Sequence, residues 1–410
     1  MTSPKILISI VLVVAVVGGI TYLNSQKAGR VGNDEGVSVT PRLANDGEKN
    51  QTVSPDEKIV ISEKPSTVSP EDKVVVGAKP SADEKTASIQ KSKKYTLAKE
   101  IRTPDGFINT DGKPITIGEF VGKKVVLIDF WTYTCINCQR TFPYLNAWYA
   151  KYKDKGFVII GIHTPEFEFE KVYQNVLDAT KRFGLKYPVV LDNDYSTWNA
   201  YQNRFWPRKY LIDIDGYVIY DHIGEGGYEE TERRIQEALA ERMKVLGESG
   251  EVKVPVSKVD TSALPRSGSP ETYFGSARNQ YFANGRQGAS GVQRLSLPEA
   301  FDGNRLYLGG DWDIQSEFAE NQNAGASIVF KYKAKEVYFV ASAKGGVRAK
   351  IYSDGVLLSA SKGEDVDSQG AALIKEDRLY KIIKNPALEE HTLKIEIESP
   401  GLRAYTFTFG

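Results

Sequence analysis

Apolar positions fall into four successive patterns along this chain. From Ile6 to Leu23 they run as eighteen residues without a charge, about the minimum that crosses a bilayer as a helix. Asn24, Ser25, Gln26 and Lys27 follow with no small-residue cleavage pattern, so residues 1–23 are expected to be an uncleaved membrane anchor. Between Asn24 and Lys94 there is no Phe, Tyr or Trp, and Ser, Pro, Lys, Glu and Asp abound. Such a stretch cannot bury a core, and residues 24–97 are expected to form a disordered linker. Within it TVSPDEKIVISEKPS (Thr52 to Ser66) is followed at once by TVSPEDKVVVGAKPS (Thr67 to Ser81), a tandem repeat of fifteen residues. Two copies are too few for a solenoid and read as a duplicated spacer.

In the third pattern, residues 98–247, short apolar runs alternate with helical stretches, which predicts an α/β unit. Lys124 to Trp131 is almost wholly apolar, as a central strand covered on both faces should be. A helix is expected over Cys138 to Lys155 with Pro143 as a kink, a strand over Phe157 to Thr164, and a helix over Glu166 to Phe183. Strands follow at Pro188 to Asp192, Lys209 to Ile214 and Tyr217 to Ile223, the last two joined by the turn signal Asp215-Gly216. Tyr228 to Leu246, acidic at its start and basic later, closes the unit as a helix. After a Pro- and Gly-bearing connector at 248–268, residues 269–410 lose the helical pattern and show short strands broken by turns. That predicts an all-β sandwich or jelly roll.

Charge and cysteine usage narrow the chemistry. Lys plus Arg and Asp plus Glu both number 53 in 410 residues, so no field points to nucleic acid. Three histidines and two cysteines leave a structural zinc site short of its usual ligands, and no metal or cofactor is expected. The two cysteines, Cys135 and Cys138, stand three apart where the predicted central strand gives way to a helix. Unpaired amides and the dipole at a helix start stabilise a thiolate, so Cys135 is the expected nucleophile. Cys138, one turn deeper, is the expected resolving thiol.

The chain here resembles the thioredoxin superfamily, in its TlpA/ResA-like branch and especially the soluble part of DipZ-type proteins. The matching residues are Asp129, Trp131, the Cys135 and Cys138 pair, Pro143 and Pro207, with two longer stretches, HTPEFEFEK (His163 to Lys171) and Asp192 to Asp213. The resemblance implies a thioredoxin-like fold and a thiol-disulfide oxidoreductase. It implies that Pro207 is a cis-proline beside the disulfide, that Trp131, Trp206 and Pro207 meet the substrate, and that Asp129 is a buried acid moving the proton of Cys138. Trp206 stands where thioredoxin has a small or β-branched residue, which separates the substrate preferences. His163 and Glu166, at the end of the second strand, are candidates for tuning the pair.

Residues 269–410 resemble the carboxy-terminal module of DipZ-type proteins, a jelly roll likened to carbohydrate-binding modules. SPETYFG (Ser269 to Gly275) and the last twenty residues carry this likeness. Aromatics such as Tyr273, Phe274, Tyr281, Trp312 and Tyr338 are candidates for stacking on a glycan, although in a sandwich such residues more often form the core.

The implied partners are disulfide-containing envelope proteins and a membrane electron donor of the DsbD/CcdA type. The soluble domains are expected on the extracytoplasmic, periplasmic side. Rival readings exist. A c-type haem needs a histidine where Gln139 stands. A thiol peroxidase shares the Thr132-x-x-Cys135 spacing but has proline where Ile128 stands. Copper transfer by the cysteine pair lacks a supporting methionine cluster, with two Met in the chain. An envelope-binding protein with a non-turnover thioredoxin-like scaffold is the alternative from a different class.

Overall fold

The computed structural model describes residues 90–252, 255–257 and 267–410. The anchor segment Ile6 to Leu23 and the tandem repeat lie outside the described residues. Among the described residues no helix is long and apolar enough to cross a membrane.

Period-two alternation builds the first sheet. Strand β3 (Val125–Trp131) is buried throughout. Its odd-numbered members Val125, Leu127 and Trp131 join one core with Phe142, Leu145, Trp148, Ile235 and Leu239. Its even-numbered members Val126, Ile128 and Phe130 join a second core with Trp198, Tyr210 and Ile212. Two faces are therefore covered, which is why the sequence reads as a continuous apolar run.

The flanking elements in chain order are β1 (Thr96–Leu97), β2 (Gly106–Ile108), β3, α1 (Ile136–Tyr152), β4 (Phe157–His163), α2 (Tyr173–Arg182), β5 (Val189–Leu191), α3 (Ser196–Ala200), β6 (Arg208–Ile212), β7 (Tyr217–Ile223) and α4 (Tyr228–Leu246). The sheet order is β1-β7-β6-β3-β4-β5-β2. β3 is parallel to β4 and antiparallel to β6. This is the thioredoxin-like arrangement. The β6–β7 turn is made at Gly216, whose φ of 87° belongs to the left-handed region.

Two expected boundaries move for physical reasons. The linker ends earlier than its composition suggests: Thr96 and Leu97 pair with Val218 and Tyr217 at the sheet edge. Before them, the Lys91 ammonium lies 2.6 Å from Asp213, 2.6 Å from Asp215 and 2.7 Å from Glu241. The helix expected over Glu166 to Phe183 is instead a 3₁₀ turn, Glu168–Lys171, and then α2. The buried Glu170 carboxylate takes the backbone N–H groups of Glu166 and Phe167, capping the turn, and Val172 is extended and breaks the helix.

The second region is all-β, as expected. Its strands are β8 (Thr272–Tyr273), β9 (Gly291–Leu295), β10 (Leu306–Ile314), β11 (Ala319–Asn321), β12 (Ser327–Ala343), β13 (Val347–Ser353), β14 (Val356–Leu357), β15 (Ala371–Ile374), β16 (Arg378–Ile397) and β17 (Leu402–Phe409). They hydrogen-bond into one ten-stranded sheet with the path β14-β13-β16-β12-β10-β11-β17-β8. β12 also pairs with β17, which closes a ring through β10 and β11 and makes the sheet barrel-like. The long strand β12 is not continuous in register: it shifts against β16 between Ala334 and Glu336 and between Val337 and Tyr338.

Of the five aromatics singled out in the sequence, Phe274 and Trp312 enter the barrel core and Tyr338 is buried elsewhere. Tyr273 and Tyr281 are half-buried. The described residues of both regions belong to one compact unit. Their cores are separate, but a fourth apolar cluster bridges them: Ile136 and Phe167 from the first, Tyr338, Val340, Leu379 and Tyr405 from the second.

Candidate active site

β3 ends at Trp131, and the chain turns through Thr132, Tyr133 and Thr134 into α1. Cys135 is the N-cap of that helix, with extended backbone, and its Sγ accepts the N–H of Cys138 at 3.2 Å. One of the orphan donors of the helix start therefore points at the sulfur, as a thiolate would require. Both cysteines are free thiols, Cys135 half-buried and Cys138 fully buried. Burial first, then the hydrogen bond and charge of Cys135, then Asp129, push the Cys138 thiol well up. A backbone hydrogen bond from Thr132 acts the other way.

Asp129 lies on the same strand face as Leu127 and Trp131, the face covered by α1 and Cys138. It is fully buried, and neither carboxylate oxygen has a hydrogen-bond partner. Desolvation lifts its pKa to about 7, with Lys209 pulling it down. Lys209 sits directly opposite Asp129 in the β3–β6 register and is itself fully buried, its ammonium donating to Gly224 O at 3.2 Å. Burial lowers the Lys209 pKa, while Asp129 and Cys138 work to raise it.

On the other side Asp129 faces Gly161 of β4. A Cβ at Gly161 would lie 2.8 Å from Trp131 Nε1 and 3.2 Å from Tyr187, so only glycine lets these rings close over the acid. Tyr187 OH and Trp131 Nε1 are likewise buried without partners. The Tyr187 hydroxyl is driven well up by burial and then by Asp129 and Cys138.

The other expected residues divide. Trp206 joins the partly buried side chains on the same core as Cys135, and its ring centroid is 4.4 Å from that of Trp198. The Trp206–Pro207 peptide is cis. His163 is fully buried, its ring 4.8 Å from Trp131 and 5.7 Å from Tyr133, and burial lowers its pKa to about 3. Its Nε2 lies 3.5 Å from the hydroxyl of Thr132 in the turn before Cys135. Glu166 is engaged by the barrel region: its carboxylate accepts Tyr273 OH at 2.8 Å and pairs with Arg278 at 2.7 Å.

Sequence reasoning passed over Lys209, Tyr187 and Glu170. Lys209 follows Arg208 in sequence, and nothing local marks it as the inward of the two cations. Glu170 was concealed in the acidic–aromatic alternation of HTPEFEFEK.

A Redoxin family model matches residues 93–239, and a model described as "Thioredoxin like C-terminal domain" matches residues 269–410. Protein DipZ of Mycobacterium bovis is 35% identical over 315 residues, 76% of this chain and 43% of DipZ. The chain thus spans less than half the length of that relative. Thiol-disulfide oxidoreductase ResA of Bacillus cereus is 36% identical over 132 residues, 32% of this chain and 73% of ResA. Among solved structures, a DsbE-type thiol:disulfide interchange protein from Chlorobium tepidum matches with 26% identity and a TM-score of 0.32, covering 35% of this chain and 96% of that one.

Proposed function

This chain belongs to the thioredoxin-like thiol-disulfide oxidoreductases, the family of ResA and DipZ, and from that premise we propose that it exchanges disulfides in extracytoplasmic proteins through Cys135 and Cys138. The observation that carries the reading is the asymmetry of the pair: Cys135, half-buried, caps a helix, and Cys138 is fully buried on the face that holds Asp129.

The Cys135 thiolate attacks one sulfur of a substrate disulfide, and the other substrate sulfur leaves as a thiolate. Cys138 then gives its proton to the Asp129 carboxylate and attacks Cys135 Sγ, expelling the second substrate thiolate. Two electrons pass from the dithiol to the substrate, and the chain is left with a Cys135–Cys138 disulfide. A donor dithiol of the DsbD/CcdA type in the membrane would return them. Trp206 and Pro207 offer the surface against which the substrate chain lies. An anchor at Ile6 to Leu23 would hold the molecule to the membrane that carries this donor.

The test is turnover. With a recycling dithiol, the chain should reduce a model protein disulfide far faster than Cys135→Ser. Equal rates would remove the oxidoreductase reading and leave a binding scaffold. For the location, a membrane-impermeant maleimide should label the reduced cysteines in cells with only the outer envelope opened. Labelling that needs inner-membrane lysis would reverse the orientation.

A further inference from the structure

Glu170 is fully buried and accepts four hydrogen bonds. One carboxylate oxygen takes the Thr134 N–H at 3.2 Å and the Thr134 hydroxyl at 2.7 Å. The other takes the N–H of Glu166 at 2.6 Å and of Phe167 at 3.1 Å. Among the described residues no Lys, Arg or His forms an ion pair with it. A buried carboxylate without a cation is costly, and its four donors show what it holds together. Capping the 3₁₀ turn explains the second pair of bonds. It does not explain the first pair, which reaches 36 residues back to the residue immediately before Cys135.

The loop on the other side of Glu170 is gripped by the barrel. Glu166 pairs with Arg278 at 2.7 Å. Glu168 N–H donates to Glu317 at 3.0 Å. The rings of Phe167 and Phe169 lie 5.1 Å and 4.7 Å from Tyr405. The barrel also touches the turn directly: Tyr133 OH donates to Asp377 O at 3.1 Å, Arg140 to Tyr338 OH at 3.3 Å, and Ile136, between the cysteines, is buried against Tyr338, Val340 and Leu379. The residues on both sides of Cys135 are thus held from outside their own sheet.

We propose that Glu170 is a positioning residue of the dithiol site, linking the turn that presents Cys135 to the loop clamped by the carboxy-terminal barrel. It rests on the dithiol reading above and assigns the barrel a part in the redox centre beyond partner choice. Glu170 touches neither sulfur. It acts through Thr134, keeping the helix start in the geometry where the Cys138 N–H meets Cys135 Sγ.

The test uses the full chain in a Cys138→Ser background, so that Cys135 is the one thiol, and reads its alkylation rate by iodoacetamide at neutral pH. Glu170→Gln sets an amide NH₂ against one pair of N–H donors, and the rate should fall about tenfold, since small misplacements of a reacting group carry penalties of this size. Thr134→Val, which loses the hydroxyl bond, should also be slower. Thr134→Ser, which keeps both donors, should match the parent, and Glu170→Gln with Thr134→Val should lose less than the product of the single effects. Arg278→Gln, on the barrel side, should slow alkylation in the same direction.

A folded Glu170→Gln chain within twofold of the parent overturns the proposal. If Glu170→Gln does not fold, Thr134→Val decides: slower than Thr134→Ser supports positioning, equal to it refutes it. Alkylation needs no disulfide substrate. A chain that fails to reduce a protein disulfide yet shows these rate effects would overturn the proposed function and leave the positioning role standing.

Discussion

At the scale of single residues, burial sorts three groups at one helix start: Cys135 is half-buried, and Cys138 and Asp129 are fully buried. Asp129 has lost its water without gaining a hydrogen bond, and its pKa rises to about 7 with Lys209 opposing. The sign of the pH effect follows. Below about pH 7 the acid is protonated and cannot take the proton of Cys138; above it the carboxylate is the base. Decay of a mixed disulfide should therefore accelerate as pH rises through about 7, and stopped-flow measurements across that range check it. Asp129→Asn should remove the step and slow decay by about 10² to 10⁴, with little effect on the first attack by Cys135. Equal slowing of both would make the acid structural. Lys209→Met removes the charge that holds Asp129 down, so the midpoint of the profile should move to more alkaline pH; an unmoved midpoint would disconnect the lysine from the acid. The cysteine spacing and the acid six residues before it were legible because they lie in one short stretch of sequence. Lys209 was not, because its importance comes from register: it faces Asp129 across 80 residues of chain.

Among elements, the strands and helices that bury a strong periodic face were readable within a residue or two. β3 and α4 came out almost as drawn, since a continuous apolar run and a capped amphipathic stretch each have one good solution. The helix expected from Glu166 failed because a local side chain, Glu170, satisfies the backbone in another way, and pattern alone does not show which carboxylate turns inward. β16 is twenty residues long, and its exposed, polar middle stretch carries no alternation that would mark it as one strand. β4 offers a test of how tightly the layer beneath the cysteines is packed. Gly161→Ala would place a methyl 2.8 Å from Trp131 Nε1, closer than side chains tolerate. The substitution should cost about 1–3 kcal/mol, the usual range for overpacking a tight core, read as a fall in denaturant midpoint. A stability unchanged within error would show that Trp131 and Tyr187 have room to move.

For the whole molecule, composition and turn chemistry foretold two folded regions, but not that one leans on the reactive end of the other. That seam is made of single residues from distant strands, Tyr338, Val340, Leu379 and Tyr405, and nothing in their local pattern separates them from core. Removal of residues 269–410 would uncover Ile136 and Phe167, so the truncated chain should react more slowly at Cys135 than the full chain does; an unchanged alkylation rate would show two independent units. Stability should also report the buried acids. Glu170, raised to about 7 mainly by burial, keeps its proton in the folded chain up to a higher pH than in the unfolded one. Its contribution to folding is therefore lost as pH climbs from about 4.5 to 7, and Glu170→Gln should flatten that part of a plot of unfolding midpoint against pH. An identical slope in the variant would place the titration elsewhere. The central claim, a division of labour between two cysteines, is tested most directly by trapping. Full chain carrying Cys138→Ser, mixed with a model protein disulfide and analysed by intact mass, should accumulate one mixed disulfide at Cys135, while Cys135→Ser forms none. Adducts of equal yield in both variants, or in neither while the unaltered chain reduces the same substrate, would contradict it.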